Sequence, residues 1–291
     1  MRGAPQSALR TWSSAKRQEG ASSPHIAGST KLDYFEQLEA LAAQQGGYFY
    51  PWRSALGDGN GEDAYTQLVE SHLSLEKIVL DAGCGHGTDM LAFAPKVRRF
   101  IGYDAVESFI AIARRRADEV GLASVALVLS NSSPDHNGGA ARIPAADHTL
   151  DLIISRRGPT NWIADARRVC RPGARLIQVN PLPSPEPAWK AELPQALRTA
   201  GSPANPGRPD LVGYIKAALA AADLRLEDGQ VFDAPEVISE PEDLYRCLTF
   251  MRFEPNTPSW DAARPHLERL LARHGAVDMR QRRFLWTAVV D

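Results

Sequence analysis

The stretch Val79-Leu80-Asp81-Ala82-Gly83-Cys84-Gly85-His86-Gly87 sets glycines at alternate positions directly after an apolar run. Such glycines let a backbone turn sharply and approach a ligand with no Cβ in the way. The amphipathic segment that follows predicts a helix, whose first N–H groups are free to face an anionic group. Asp104 ends the next apolar run, 17 residues beyond Gly87. A carboxylate in that position can bridge the hydroxyls of a bound ribose. Together these residues suit a nucleotide-type ligand held at the carboxyl edge of a parallel sheet. The spacing is Gly-x-Gly-x-Gly, and Thr88 stands where a dinucleotide fingerprint needs its third glycine. No Gly-Lys-Ser/Thr sequence is present, so a phosphate-cradling loop is excluded.

The elements that must position these residues follow from periodicity. Short apolar runs at 78–81, 99–104, 126–130, 150–155 and 174–180 read as strands, with amphipathic helices at 87–94, 106–120 and 162–170 between them. That alternation predicts a parallel α/β sheet. In the 106–120 helix Phe109, Ile110, Ala113, Ala117 and Val120 share a face, while Arg114, Arg115 and Arg116 point outward. Helices are further expected at 34–41, 64–73, 211–224, 241–253 and 265–274, and strands near 225–232 and at 284–290. The domain reading is a tail over 1–30, an N-terminal helical and aromatic lid over 31–76, and a main domain over 77–291 with a helical insertion at about 239–276. Pro181 to Pro187 and Pro203 to Pro209 read as stiff loops.

Composition narrows the partners. Lys and Arg number 33 against 35 Asp and Glu, a balance that argues against a large nucleic-acid footprint. No apolar run approaches the roughly 18 to 20 residues needed to span a bilayer, so no membrane partner is expected. Cys84, Cys170 and Cys247 are sparse and lack metal-ligand spacing, which predicts reduced thiols in a cytoplasmic protein and no metal. Asp147, His148 and Asp151 read as a solvated turn. The first thirty residues lack a sustained apolar region of the secretory kind.

The glycine turn resembles motif I of the class I, Rossmann-like S-adenosylmethionine-dependent methyltransferases, and the resemblance continues in order. Ile101-Gly102-Tyr103-Asp104 is similar to the family's second-strand motif. The segment from Ile143-Pro144 through Asp147 to Leu150-Asp151 is similar to the family's Leu-Pro…Asp…Phe-Asp run, and Val169-Cys170-Arg171-Pro172-Gly173 to its Val-Leu-Arg-Pro-Gly-Gly turn. The resemblance implies a doubly wound, mostly parallel seven-stranded sheet with an antiparallel last strand, and S-adenosyl-L-methionine as donor with S-adenosyl-L-homocysteine as product. By the same resemblance Asp81, Gly83, Cys84 and Gly85 line the methionine part, Asp104 holds the ribose, Ala105, Asn131 and Ser132 adjoin the adenine, and Ser155 lies near the methyl group. One departure is the stretch from Ser132 to Ala141, which is longer than the family's usual link.

The acceptor is less legible. The neutral charge and the apolar stretch Leu244, Leu248, Phe250, Met251, Phe253 favour a small-molecule acceptor of secondary-metabolite type. Candidate contacts to acceptor or donor are Arg156 and Arg157, and Tyr50, Trp52 and Arg53 from an aromatic segment that can fold over the donor. No residue identifies itself as the catalytic base; His86 reads as a positioning residue. The sequence after the fourth strand is Ser155-Arg156-Arg157-Gly158-Pro159 rather than Asn/Asp-Pro-Pro-Tyr/Phe, which disfavours base N-methylation. Two alternatives stand beside the small-molecule reading. An RNA or protein acceptor would use Arg280, Arg282 and Arg283 with the arginine triplet, and a non-catalytic partner subunit would keep only the fold.

Overall fold

The computed structural model describes residues 33–198, 210–253 and 256–291, so the expected tail over 1–30 and the stretch 203–209 lie outside the described residues. The N-terminal helix α1 (Tyr34–Gln45) begins at a capping box: the Asp33 carboxylate accepts the Glu36 N–H, and the Glu36 carboxylate accepts that of Asp33. It ends at Gly46 in the left-handed conformation. A two-residue strand β1 (Ala55–Leu56) and helix α2 (Glu62–Ser71) lead into the sheet.

Then follow β2 (Ile78–Ala82), α3 (Thr88–Phe93), β3 (Arg99–Asp104), α4 (Glu107–Glu119), β4 (Val125–Leu129), β5 (Leu150–Arg156), α5 (Ala166–Val169) and β6 (Cys170–Leu182). The chain continues through α6 (Gln195–Arg198), α7 (Leu211–Ala221), β7 (Arg225–Ile238), α8 (Pro241–Thr249), α9 (Trp260–His274) and β8 (Val277–Val289). The sheet order is β1-β7-β8-β6-β5-β2-β3-β4. Strands β6, β5, β2, β3 and β4 are parallel; β8 runs antiparallel between β6 and β7. The strand order reverses between β2 and β5, where open α/β sheets bind ligands.

Both faces of the parallel strands are covered, as their continuous apolar runs require. One face packs Leu80, Ile153, Leu176 and Trp286 against Trp162, Ile163, Ile215 and Leu219. The other packs Val79, Leu152, Ile154 and Ile177 against Tyr65, Val69, Met90 and Phe93. The insertion has its own cluster, in which Leu244 and Leu248 of α8 meet Leu267, Leu270 and Leu271 of α9 and Trp189. Leu38 and Leu41 of α1 pack on Val106, Phe109 and Ile112 at the start of α4.

The sheet has eight strands rather than the expected seven, because Ala55 and Leu56 pair with Val237 and Glu236 at the free edge of β7. Strand β7 also continues past 232 and β8 begins at Val277, well before 284, as one antiparallel ladder. The strand expected near 225–232 thus runs on through Asp233 and Pro235. The Asp233 carboxylate meets Arg280 and Arg282 across the ladder. Pro235 points its carbonyl, and hence its missing N–H, toward the short edge strand, where one donor is expendable. The helix expected at 162–170 divides into a 3-10 turn over Asn161–Asp165 and the short α5. Helix α9 starts at Trp260 because Ser259 caps it, which places Pro265 inside at the expense of one backbone bond.

Candidate functional site

The site begins where β2 ends. Gly83, Gly85 and Gly87 have φ of 76°, 52° and 86°, all in the left-handed region. The N–H groups of Gly83 and Cys84 both donate to the Tyr103 carbonyl, at 3.0 and 2.9 Å, which pins the turn against β3. A Cβ on Gly83 would lie 2.9 Å from Pro159 Cδ, whereas one on Gly85 would enter open space. The turn is therefore packed on one side and bare on the other. Cys84 turns inward, its Sγ set against Gly102, and burial pushes its thiol well up.

Asp104 is locked in place by the same turn. One carboxylate oxygen accepts the Gly85 N–H at 2.9 Å and the other the Val106 N–H at 2.9 Å. Burial raises its pKa against the pull of those N–H groups. Asp81 is nearly inaccessible, and burial together with the Asp89 carboxylate raises its pKa well above the usual range. Beyond Asp104 opens a cleft of about 410 Å³ lined by Ala105, Glu107, Leu129, Ser130 and Asn131, with Phe35 and Glu39 of α1 and His136 also on its wall. Phe35 and His136 meet edge to face at 6.1 Å. His136 belongs to the 3-10 turn within the long link after β4, so the extra length supplies a wall of the cleft. Phe35, Glu39 and His136 carried no motif that marked them beforehand.

Two of the expected ligand contacts are used elsewhere. Ser132 is buried: its Oγ accepts from the Tyr103 hydroxyl at 3.0 Å and donates to Asn161 at 2.9 Å, so it braces β3 and lies outside the cleft lining. Ser155 is fully buried and donates to the Ala82 carbonyl at 2.6 Å, tying the ends of β2 and β5 together. Asn131 does line the cleft, with its Oδ1 accepting the Ser133 N–H.

The two arginines after β5 part company. Arg156 gives Nε to Asp89 at 2.9 Å, Nη1 to Glu62 at 2.7 Å and Nη2 to Thr66 at 3.0 Å, and stacks 4.5 Å above the Tyr65 ring. It clamps α2 to the sheet, and these bonds take it away from a ligand. The clamp centres on Glu62, which also sits 3.0 Å from Arg283 and 3.8 Å from Arg157. Burial alone would raise its pKa, but Arg157, Arg283 and Arg156 bring it down to about 2. Arg157 instead lies over the Tyr50 ring, 5.3 Å from its centroid.

The aromatic segment is anchored from several sides. Trp52 donates to Glu236 at 3.0 Å, and Arg53 pairs with Asp243 of α8 through both its backbone N–H and its guanidinium. Tyr50 meets Trp52 and Phe250 with ring centroids 4.9 and 5.4 Å apart. Trp52 and Arg53 thus join the segment to β7 and α8, and Tyr50 stays beside Arg157. At the other end His86 Nδ1 accepts the Tyr48 N–H at 3.1 Å, and Phe49 packs 4.6 Å from the His86 ring. That bond fixes the proton of neutral His86 on Nε2, which faces the Thr88 hydroxyl at 3.1 Å. Burial, then Arg116 and Arg157, depress the His86 pKa to about 4. With its acceptor nitrogen occupied, His86 is unfit to serve as a base.

The unfolded chain binds a proton at His86 near pH 6.5, whereas the folded chain resists it down to about 4. The stability this provides is complete above pH 6.5 and is lost as pH falls toward 4. His86→Asn keeps an acceptor for the Tyr48 N–H without the titration. Its stability by urea unfolding should fall by about 2 kcal/mol less than the parent's between pH 7 and 4.5; parallel losses in the two proteins would contradict this assignment.

Residues 79–177 match the family described as a methyltransferase domain. The chain is similar to a Bacillus subtilis protein described as an uncharacterized methyltransferase, YcgJ, with 30% identity over 118 residues. That match covers 40% of this chain and 43% of YcgJ, so the chain spans under half the length of that relative. A probable S-adenosylmethionine-dependent methyltransferase of Mycolicibacterium smegmatis is 27% identical over 195 residues, covering 60% of this chain and 68% of that protein. In three dimensions the crystal structure of YcgJ aligns with a TM-score of 0.54 at 18% identity, over 78% of this chain and 98% of that one. A functionally unknown protein from Deinococcus radiodurans aligns at 0.58 and 21% identity, over 87% and 99%. With motif I on β2, an acid closing β3 and this strand order, the chain has a Rossmann-like fold, and its residues 79–177 form a domain similar to the S-adenosylmethionine-dependent methyltransferases.

Proposed function

We propose that this chain transfers the methyl group of S-adenosyl-L-methionine to a small-molecule acceptor of secondary-metabolite type, leaving S-adenosyl-L-homocysteine. The observation that carries the reading is the Asp104 carboxylate, fixed by the Gly85 and Val106 N–H groups between the bare face of Gly85 and the 410 Å³ cleft. The residues fit the donor in sequence along the sheet edge. The cleft beside Ala105 and Asn131 takes the planar base, Asp104 the ribose diol, and the Gly83 to Gly85 backbone the chain beyond. Asp81, a buried carboxyl lacking a hydrogen-bonded cation among the described residues, takes the ammonium.

The bound donor supplies a methyl group already activated on a sulfonium. The protein's task is then to align the acceptor with that carbon and exclude water. The aromatic segment, latched at His86 and at Asp243, closes that end of the site. Aromatic faces there suit both a cation and an apolar acceptor. A proton leaving the acceptor goes to solvent or to the acceptor's own groups, since His86 holds no free lone pair.

The surface charges favour a small acceptor over RNA. Arg280 and Arg282 face Asp233, Arg283 faces Glu62, and Arg115 faces Glu119. Arg114 and Arg116 donate to the carbonyls of Leu127 and His86. The groups that would form a basic groove are largely paired within the fold. No helix among the described residues is long and apolar enough to cross a membrane.

The deciding experiment is calorimetric titration of the purified chain with S-adenosylhomocysteine. Asp104→Asn keeps the size of the side chain and loses the charge that two ribose hydroxyls would share. Its affinity should fall about 10- to 100-fold, as expected for charge-assisted hydrogen bonds. Equal binding by the parent and Asp104→Asn, or none by the parent, would overturn the reading.

A further inference from the structure

Arg157 differs from the other arginines around the site. Its backbone is left-handed, with φ of 62°, a conformation that a side-chain-bearing residue keeps only where its surroundings impose it. The surroundings are visible. Its N–H donates to the Val179 carbonyl at 2.8 Å. A Cβ on the next residue, Gly158, would lie 2.5 Å from Ser155 Oγ and 2.6 Å from the Ala82 carbonyl oxygen. The chain therefore crosses directly over the end of β2 before it turns away, and Arg157 stands at that crossing.

Charge sets it apart as well. Glu62 is shared by Arg156 at 2.7 Å and Arg283 at 3.0 Å, and Arg156 also occupies Asp89. No carboxylate among the described residues lies within hydrogen-bonding distance of Arg157; the nearest, Glu62 Oε1, is 3.8 Å away. Arg156, Arg157 and Arg283 thus converge on Glu62; Arg157 makes the longest of these contacts and bonds the Tyr50 side chain, which leaves several of its N–H groups for a further acceptor. Its side chain is 28% exposed, beside the half-open ring of Tyr50. Its charge also helps to depress His86, which lies within the glycine turn.

We infer that Arg157 anchors the carboxylate of the donor's amino-acid end, with the ammonium of the same zwitterion on Asp81. This rests on the donor reading above. With the base beside β4 and the ribose on β3, the tail must run past β2 toward the end of β5, where Arg157 waits. A guanidinium fork matches a carboxylate through two parallel N–H bonds, which an ammonium cannot do. The side chain then ranks as a positioning residue that sets the direction of the sulfonium.

The test compares two ligands on the full chain by calorimetry: S-adenosylhomocysteine, and 5′-methylthioadenosine, which keeps the base and ribose and lacks the amino-acid end. Arg157→Met should weaken S-adenosylhomocysteine about 10- to 100-fold and change methylthioadenosine by less than about twofold. Arg157→Lys should recover only part of the loss. Unchanged affinity for S-adenosylhomocysteine in Arg157→Met, with the parent binding it, would remove this assignment and leave the donor reading standing. Equal loss of both ligands would also overturn it, by marking a general structural role. A parent that binds neither ligand would overturn the donor reading and this assignment together.

Discussion

Gly85→Val should abolish measurable binding of S-adenosylhomocysteine, at least about a 100-fold loss, while the protein still folds. A Cβ at Gly85 meets no protein atom within 4 Å, so the branched side chain would project into the space beside Asp104 where we place the donor. The cost to the fold is limited to holding a non-glycine residue at φ of 52°, on the order of 1–2 kcal/mol. The neighbouring Gly83 provides the contrast. Its Cβ would press on Pro159 Cδ at 2.9 Å, so Gly83→Val should lower thermal stability clearly more than Gly85→Val does. Donor binding by Gly85→Val at parental strength would show that the bare face of the turn is not the donor site.

Glu62→Gln should be strongly destabilising, costing about 3–5 kcal/mol by loss of the carboxylate from a buried ion cluster. Arg156 and Arg283 would then face each other, with Arg157, around a neutral amide, and α2 would lose its tie to β5 and β8. For a domain of this size that corresponds to a melting point lower by about 10 °C. The same carboxylate gives the protein an acid limit. Its folded pKa of about 2 lies below the ordinary 4.5, so the unfolded chain takes up the proton first as pH falls. The resulting stability, about 3 kcal/mol, is complete above pH 4.5 and lost as pH approaches 2. Urea unfolding at pH 7 and pH 3 measures it: the parent should lose about 2 kcal/mol of this increment by pH 3 and Glu62→Gln should not. A variant that melts with the parent at pH 7 would show the cluster to be solvent-screened.

The parallel half of the sheet was legible because each strand from β2 to β6 is a short apolar run bounded by turn residues, and its register carries the glycine turn and Asp104 to one edge. The β7–β8 ladder was less legible. Its residues are stabilised by partners across the ladder, such as Asp233 with Arg280 and Arg282, and neither strand alternates cleanly in apolar character. The same limit applied around the site. Asp104 and the glycines are placed by local backbone geometry, which adjacent residues encode. Which of Arg156 and Arg157 is consumed by structure depended on Glu62 and Asp89, far away in the chain and without a motif. Likewise, the hydroxyls of Ser132 and Ser155 are claimed by Tyr103 and by the Ala82 carbonyl, contacts that only the folded sheet creates.

Helix α4 lacks a cap from its own N-terminal residue, Val106. The Glu39 carboxylate of α1 serves instead, accepting the Glu107 N–H at 2.7 Å and the Ser108 N–H at 3.3 Å, while Phe35 of the same helix forms part of the cleft wall. A borrowed cap makes two equilibria one. When α1 lifts, the start of α4 frays, and the residues directly after Asp104 lose their order. A cap contributes about 1 kcal/mol, and the Tyr48–His86 bond a similar amount. Those bonds act together with the burial of Leu38 and Leu41 on Val106, Phe109 and Ile112, so α1 and the start of α4 are held as one unit. By the same coupling, a ligand that orders the start of α4 would also hold α1 in place.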